Sequence, residues 1–268
     1  MNRAVLNGIE LDYEVCGSGE PIVFVHHGVG PDWFVPLWRQ PVLNAHYCLV
    51  GYHRAGYVGS GPLTLPLTFA REAENFCALL RYLRLERVHI VGHSASGCIA
   101  LQLALNASNN VHSLALLEPA LMAVPSPPEV AQAFELCRAG DTAAAVDTFL
   151  RATCGAQYRA VLEEAVPGAF EQALANADTF FKHELVALRE WSFGSQEARR
   201  IRQPVLAVVG GESDLRFFQR QKLLLNWLPN VEPFVLPAAG HLLHLQNPSG
   251  MAARLADFFA RHSFKIAV

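Results

Sequence analysis

The stretch Val91-Gly92-His93-Ser94-Ala95-Ser96-Gly97-Cys98 constrains this chain more than any other. Val88-His89-Ile90-Val91 before it reads as a short strand, and Cys98 to Leu105 after it reads as an apolar helix. A serine between strand and helix, with Gly92 two residues earlier and Ser96 two residues later, approximates the G-x-S-x-G turn that lifts a hydroxyl clear of a sheet. Small residues are demanded there because two backbone segments crowd together. Ser96 replaces the second glycine of that pattern, and Gly97 adds room one position later. The alternative reading of Ser94 is a plain helix cap.

The surrounding elements decide what kind of sheet this turn belongs to. Ala4 to Leu6 and Ile9 to Val15 are joined by Asn7-Gly8, a strong hairpin signal. Ile22 to His26 is a continuous apolar run of the kind buried on both faces of a sheet. A helix over about 33–43, a strand from Tyr47 to Gly51, an amphipathic helix over about 68–83 and a strand from Ser113 to Leu117 follow. Strands return at Val205 to Val209 and Glu232 to Leu236, each before a helix. This alternation predicts an α/β fold with a mostly parallel sheet and helices on both faces. Residues 121–200 break the rhythm with alanine-rich helical sequence, which predicts a helical cap inserted into a core made of residues 1–120 and 201–268.

A serine hydroxyl attacks only when a base takes its proton, and that base is oriented by an acid, in the chain order serine, acid, histidine. Five histidines follow Ser94: His112, His183, His241, His244 and His262. His241 sits in the loop at the carboxyl end of the last strand, where sites of open parallel sheets gather, so it is the candidate base. Gly210-Gly211-Glu212-Ser213-Asp214 offers two carboxylates, and Asp214, deeper in the loop with the shorter side chain, is the expected acid. Glu118, at the carboxyl end of the strand 113–117, is the second candidate; its other reading is an anchor for the start of the cap through backbone hydrogen bonds. The oxyanion of the reaction needs two fixed donors. Ala95 N–H comes with the turn, and Val29 N–H, beside glycines in His26-His27-Gly28-Val29-Gly30, is the expected partner. Trp33, Phe181 and Trp191 are candidate substrate contacts, with Phe34, Phe180 and Phe193 nearby, although aromatics at helical spacing commonly build core.

With these segments the chain resembles capped, esterase-like serine hydrolases of the α/β-hydrolase fold. The resemblance rests on Val25-His26-His27-Gly28, on Gly92 to Ser96, on Gly211 to Asp214 and on Gly240-His241, and covers essentially the whole chain. It implies eight strands, mostly parallel, with the first hairpin at one edge. His53-Arg54-Ala55-Gly56-Tyr57-Val58-Gly59-Ser60 matches the family's D-x-x-G-x-G-x-S loop in altered form, with His53 for aspartate and Val58 for the second glycine. Arg54 is read as the partner of a loop salt bridge or of an anionic substrate group.

Composition excludes several other functions. Hydrophobic residues at 51% and charged residues at 17% fit a packed core and not a disordered chain. A net charge of −3, without a basic stripe, gives nucleic acid no footing. No uncharged apolar run reaches the length of a membrane span and the N-terminus has no signal-peptide core, which together predict a cytoplasmic protein. Six scattered cysteines have no metal-ligand spacing and are expected reduced. The expected activity is hydrolysis of a carboxylic ester or lactone of a small, largely apolar molecule through an acyl-enzyme, with no metal or cofactor implied. Alternatives on the same residues are carbon–carbon bond hydrolysis, cofactor-free perhydrolysis, and a ligand receptor with little turnover.

Overall fold

Asn7 and Gly8 take positive φ angles of 51° and 79°, the conformation that a two-residue hairpin turn requires at both central positions. They join β1 (Asn2–Leu6) to β2 (Ile9–Gly17) in antiparallel register. The computed structural model describes residues 1–264. Strands β3 (Glu20–Val25), β4 (Tyr47–Tyr52), β5 (Val88–His93), β6 (Val111–Leu117), β7 (Val205–Gly210) and β8 (Val231–Leu236) complete the sheet. Its order is β1-β2-β4-β3-β5-β6-β7-β8. Only the pairings made by β2 are antiparallel; every other neighbour runs parallel.

The apolar runs of the central strands feed two cores by alternation. Val23 and Val25 point to one face, with Ile90, Leu114 and Leu116, while Ile22 and Phe24 point to the other, with Val91, Ala115 and Leu117. Each fully buried aliphatic chain is worth about 1.5–3 kcal/mol, so strands buried on both faces carry no polar alternation. On the first face pack α3 (Phe69–Tyr82) and α4 (Ala95–Asn106). On the second pack α1 (Val35–Trp38) and α2 (Pro41–Asn44), together with the C-terminal helices described below. The single helix expected over 33–43 is thus two short ones. Pro41 has no N–H to donate and drives Gln40 into an extended conformation with ψ 122°.

Between β6 and β7 the chain has helices and no strand: α5 (Pro128–Arg138), α6 (Thr142–Cys154), α7 (Tyr158–Ala165), α8 (Ala169–Thr179), α9 (Leu185–Glu190) and α10 (Ser195–Ala198). A π turn over Phe180–Glu184 links α8 to α9. Residues α11 (Leu215–Trp227), α12 (Leu243–Gln246) and α13 (Pro248–Arg261) alternate with and follow the last strands. No helix among the described residues is long and apolar enough to cross a membrane.

Candidate active site

Ser94 holds φ at 54°, an unfavourable angle for a side chain with a Cβ, at the junction of β5 and α4. The turn is pinned from both sides: Ser94 N–H donates to Leu117 O at 2.9 Å and Ser94 O accepts from Ala120 N–H at 3.1 Å. A Cβ on Gly92 would lie 2.6 Å from Ser96 O, and one on Gly97 would lie 2.8 Å from the Cβ of Pro119. The second tight position therefore falls at 97. Ser96 fits because its hydroxyl lies 2.9 Å from both the N–H and the carbonyl of His93 and tightens the turn itself.

His241 reaches this turn from the loop after β8. Its Nε2 lies 3.3 Å from Ser94 Oγ. Its Nδ1 lies 2.6 Å from Glu118 Oε2. A carboxylate can only accept, so Nδ1 donates and Nε2 is left as the acceptor for the serine hydroxyl. The ring of Phe217 stacks on the imidazole, with centroids 4.3 Å apart and planes 17° from parallel. Gly210 permits the crossing of loops behind it, since a Cβ there would stand 2.3 Å from Ala239 O.

The acid expected at Asp214 is not the one that touches His241. Asp214 is the N-cap of α11: its Oδ1 accepts from Arg216 N–H at 3.0 Å and its side chain is 57% exposed. Because α11 begins at the next residue, capping turns that carboxylate toward solvent. Glu118 occupies the position instead, 1% exposed, with φ at 47° where β6 ends. Its second oxygen accepts from Gly210 N–H at 2.7 Å, so the carboxylate ties β6 to β7 while it faces the imidazole. The backbone anchor that Glu118 supplies holds the end of β7, whereas its second reading placed that anchor at the start of the helical segment. Glu212 lies on the surface.

Ala95 N–H and Val29 N–H make no hydrogen bond among the described residues. Ala95 borders the cavity beside Ser94; Val29 is buried in the turn at 27–30, whose Gly30 N–H bonds His27 O. The cavity leaves about 60 Å³ of open space. Its walls include Trp33, Phe149, Phe180, Leu185, Leu188 and Phe217. Trp33 is thus where it was expected, but Phe181 and Trp191 are not. Phe181 is packed inside the helical layer against Phe149 and Phe180. Trp191 stacks on Phe193 and donates its indole N–H to Gln102 on α4. The π turn carries one residue more per turn than an α-helix and sets Phe180, not Phe181, toward Ser94. Phe149 and Phe217 carried no sequence signal beyond being apolar residues on helices. A wider groove between residues 63–67 and α3 holds no imidazole and lies apart from this chemistry.

Arg54 touches no part of the cavity. Its guanidinium, fully buried, lies 2.5 Å from Glu184 Oε2 of the π turn and 3.6 Å from Glu72 on α3, while Tyr57 hydroxyl donates to Glu184. The substituted His53 pairs with Asp32 at 3.0 Å and, through Nδ1, with Val58 O at 2.6 Å. The hydrogen bond from His53 holds the Asp32 carboxyl below its usual range.

The carboxyl edge of a mostly parallel sheet thus carries a serine on a strained strand-to-helix turn, a histidine beside it and a buried carboxylate behind the histidine. The family described as the alpha/beta hydrolase fold matches residues 21–248, and the chain belongs to it. Three likenesses narrow the setting. The dihydrolipoyllysine-residue acetyltransferase component of an acetoin cleaving system from Cupriavidus necator is 33% identical over 116 residues, 43% of this chain and 31% of that protein. The chain thus spans about a third of that relative's length. A protein provisionally named carbamate hydrolase RutD, from Pseudomonas syringae pv. syringae, is 27% identical over 258 residues, 93% of this chain and 98% of the relative. A thermophilic esterase from Thermogutta terrifontis shares the fold with a TM-score of 0.84 at 17% identity, covering 98% of this chain and 100% of the other.

Proposed function

We propose that the chain hydrolyses a carboxylic ester or lactone of a small, largely apolar molecule, with Ser94 as nucleophile, His241 as base and Glu118 as its orienting acid. The observation that carries this reading is the unbroken hydrogen-bonded line from Glu118 through His241 to Ser94, ending beside an apolar cavity. Ser94 Oγ adds to the acyl carbon as His241 Nε2 takes its proton. The oxyanion is held by Ala95 N–H and Val29 N–H. Collapse expels the alcohol, which leaves with the proton returned by His241. Water then attacks the acyl-serine with His241 again as base, releasing the acid and regenerating the hydroxyl. Glu118 keeps the imidazole in the one tautomer that can accept from serine and stabilises the imidazolium that forms. The helical layer over 128–198 acts as the cap that supplies the acyl-binding wall and excludes water.

The test is a panel of short p-nitrophenyl esters, lactones, amides and dienone ring-cleavage products, run on wild type and Ser94→Ala. Ester or lactone turnover that falls by about 10³-fold or more in the variant supports the proposal. Turnover confined to the dienones would assign carbon–carbon hydrolysis instead, and no turnover of any class would leave a ligand receptor.

A further inference from the structure

Behind the catalytic histidine lies a cluster that the proposed reaction does not use. His27 comes from the turn after β3, His93 from the last residue of β5, and His244 from α12. One ring nitrogen of each lies within 4.8 Å of those of the other two. All three residues are buried, and His27 Nε2, His93 Nδ1 and both nitrogens of His244 have no hydrogen-bond partner among the described residues. Buried polar atoms are nearly always satisfied, so three buried imidazoles that bring one nitrogen each to the same small region, with unpartnered ring nitrogens on all three, point to something they are built to hold.

We propose that His27, His93 and His244 form a binding site for a divalent transition metal that favours imidazole ligands, of the zinc, cobalt or nickel kind. The second support is the orientation of His93. Its Nε2 lies 2.8 Å from the carbonyl of His241, which can only accept, so Nε2 carries the proton and Nδ1 presents its lone pair. That is the arrangement of a metal-bound histidine, whose other ring N–H is commonly fixed on a backbone carbonyl. Burial also keeps the ligands in the neutral form that metals need. The His27 and His93 imidazoles are held well below the ordinary histidine range, and His244 is pushed down to about 3, desolvation being the largest cause for each. A tetrahedral ion at about 2.0–2.1 Å from each nitrogen requires them about 3.4 Å apart, so binding draws together nitrogens that now lie within 4.8 Å of one another. Trp33 against His27 and Phe34 against His244, with ring centroids 4.6 Å and 4.9 Å apart, provide an apolar shell. Three imidazoles leave a fourth position for water or an exogenous ligand.

The experiment uses the full chain stripped by chelator and dialysis, titrated with zinc chloride by calorimetry and with cobalt(II) by visible absorption. Wild type should take up one equivalent, with ligand-field bands of tetrahedral cobalt. His244→Phe, which keeps an aromatic ring against Phe34, and His27→Asn should each weaken binding by roughly a hundredfold or more; the second covers the case in which the first does not fold. His46→Asn combined with His183→Asn, at exposed histidines, should leave uptake unchanged. Absence of stoichiometric uptake, equal uptake by His244→Phe and His27→Asn, or loss of uptake in the surface double variant would each overturn the assignment. Binding is read without substrate, so the outcome is separate from that of the hydrolase proposal.

Discussion

At φ 47°, Glu118 accepts a conformation that costs a residue with a Cβ about 1–2 kcal/mol, and in return its carboxylate bonds both Gly210 N–H and His241. Asp214, by contrast, stabilises the start of α11. Asp214→Ala should therefore lower stability by about 1 kcal/mol in urea unfolding, the usual loss for a removed N-cap. His26 makes a prediction about pH. Its Nδ1 donates to His27 O, while its Nε2 accepts from Arg54 N–H at 2.9 Å and so has no room for a proton. Desolvation, with Arg54 nearby, holds this imidazole well below the ordinary value of 6.5. The unfolded chain binds a proton there that the folded chain refuses, so stability is full above about pH 6.5 and falls as pH drops below it. The slope is about 1.4 kcal/mol per pH unit for this ring. Urea unfolding at pH 8, 6.5 and 5.5 checks this; a stability that stays level across that range contradicts it.

Among the elements, the helical layer is fastened to the sheet where the π turn over Phe180–Glu184 meets the loops after β3 and β4. Glu184 is the buried partner of Arg54, and removing one member of such a pair strands the other charge. Glu184→Ala should cost about 3–5 kcal/mol, and a loss below about 1 kcal/mol would show that the ion pair does not hold the layer. Phe180 meets the loop after β3 at Gly28, where an added Cβ would stand 2.0 Å from its ring. Gly28→Ala should destabilise by about 1–3 kcal/mol through overpacking. A double-mutant cycle with Phe180→Leu should recover most of that loss; simple additivity would mean that the ring does not set the spacing. The strands were legible in the sequence because burial on both faces leaves unbroken apolar runs such as Ile22 to Val25. The layer's inner face was not. Phe180 and Phe181 are adjacent in a helical segment, and which one faces Ser94 depends on a π turn that periodicity does not announce.

On the scale of the whole molecule, three residues distant in sequence meet at the carboxyl edge of one parallel sheet, the edge where such sheets bind ligands. Ser94 and His241 could be read from their loops, since the glycine-flanked turn after β5 and the Gly240-His241 loop after β8 each name a single residue. The acid could not. Two loops at that edge, after β6 and after β7, both present carboxylates, and the choice between them rests on a backbone angle at 118 and on a helix that starts at 215. The comparison that decides between them is kcat/KM for an ester turned over by wild type, measured in Glu118→Gln and Asp214→Ala, with folding of each verified. Glu118→Gln should lose about 10³- to 10⁴-fold, as expected when the acid behind a histidine can no longer fix its tautomer, while Asp214→Ala stays within about threefold, since its cap does not touch the imidazole. A reversed pair of results, with Asp214→Ala inactive and Glu118→Gln near wild type, would contradict the account.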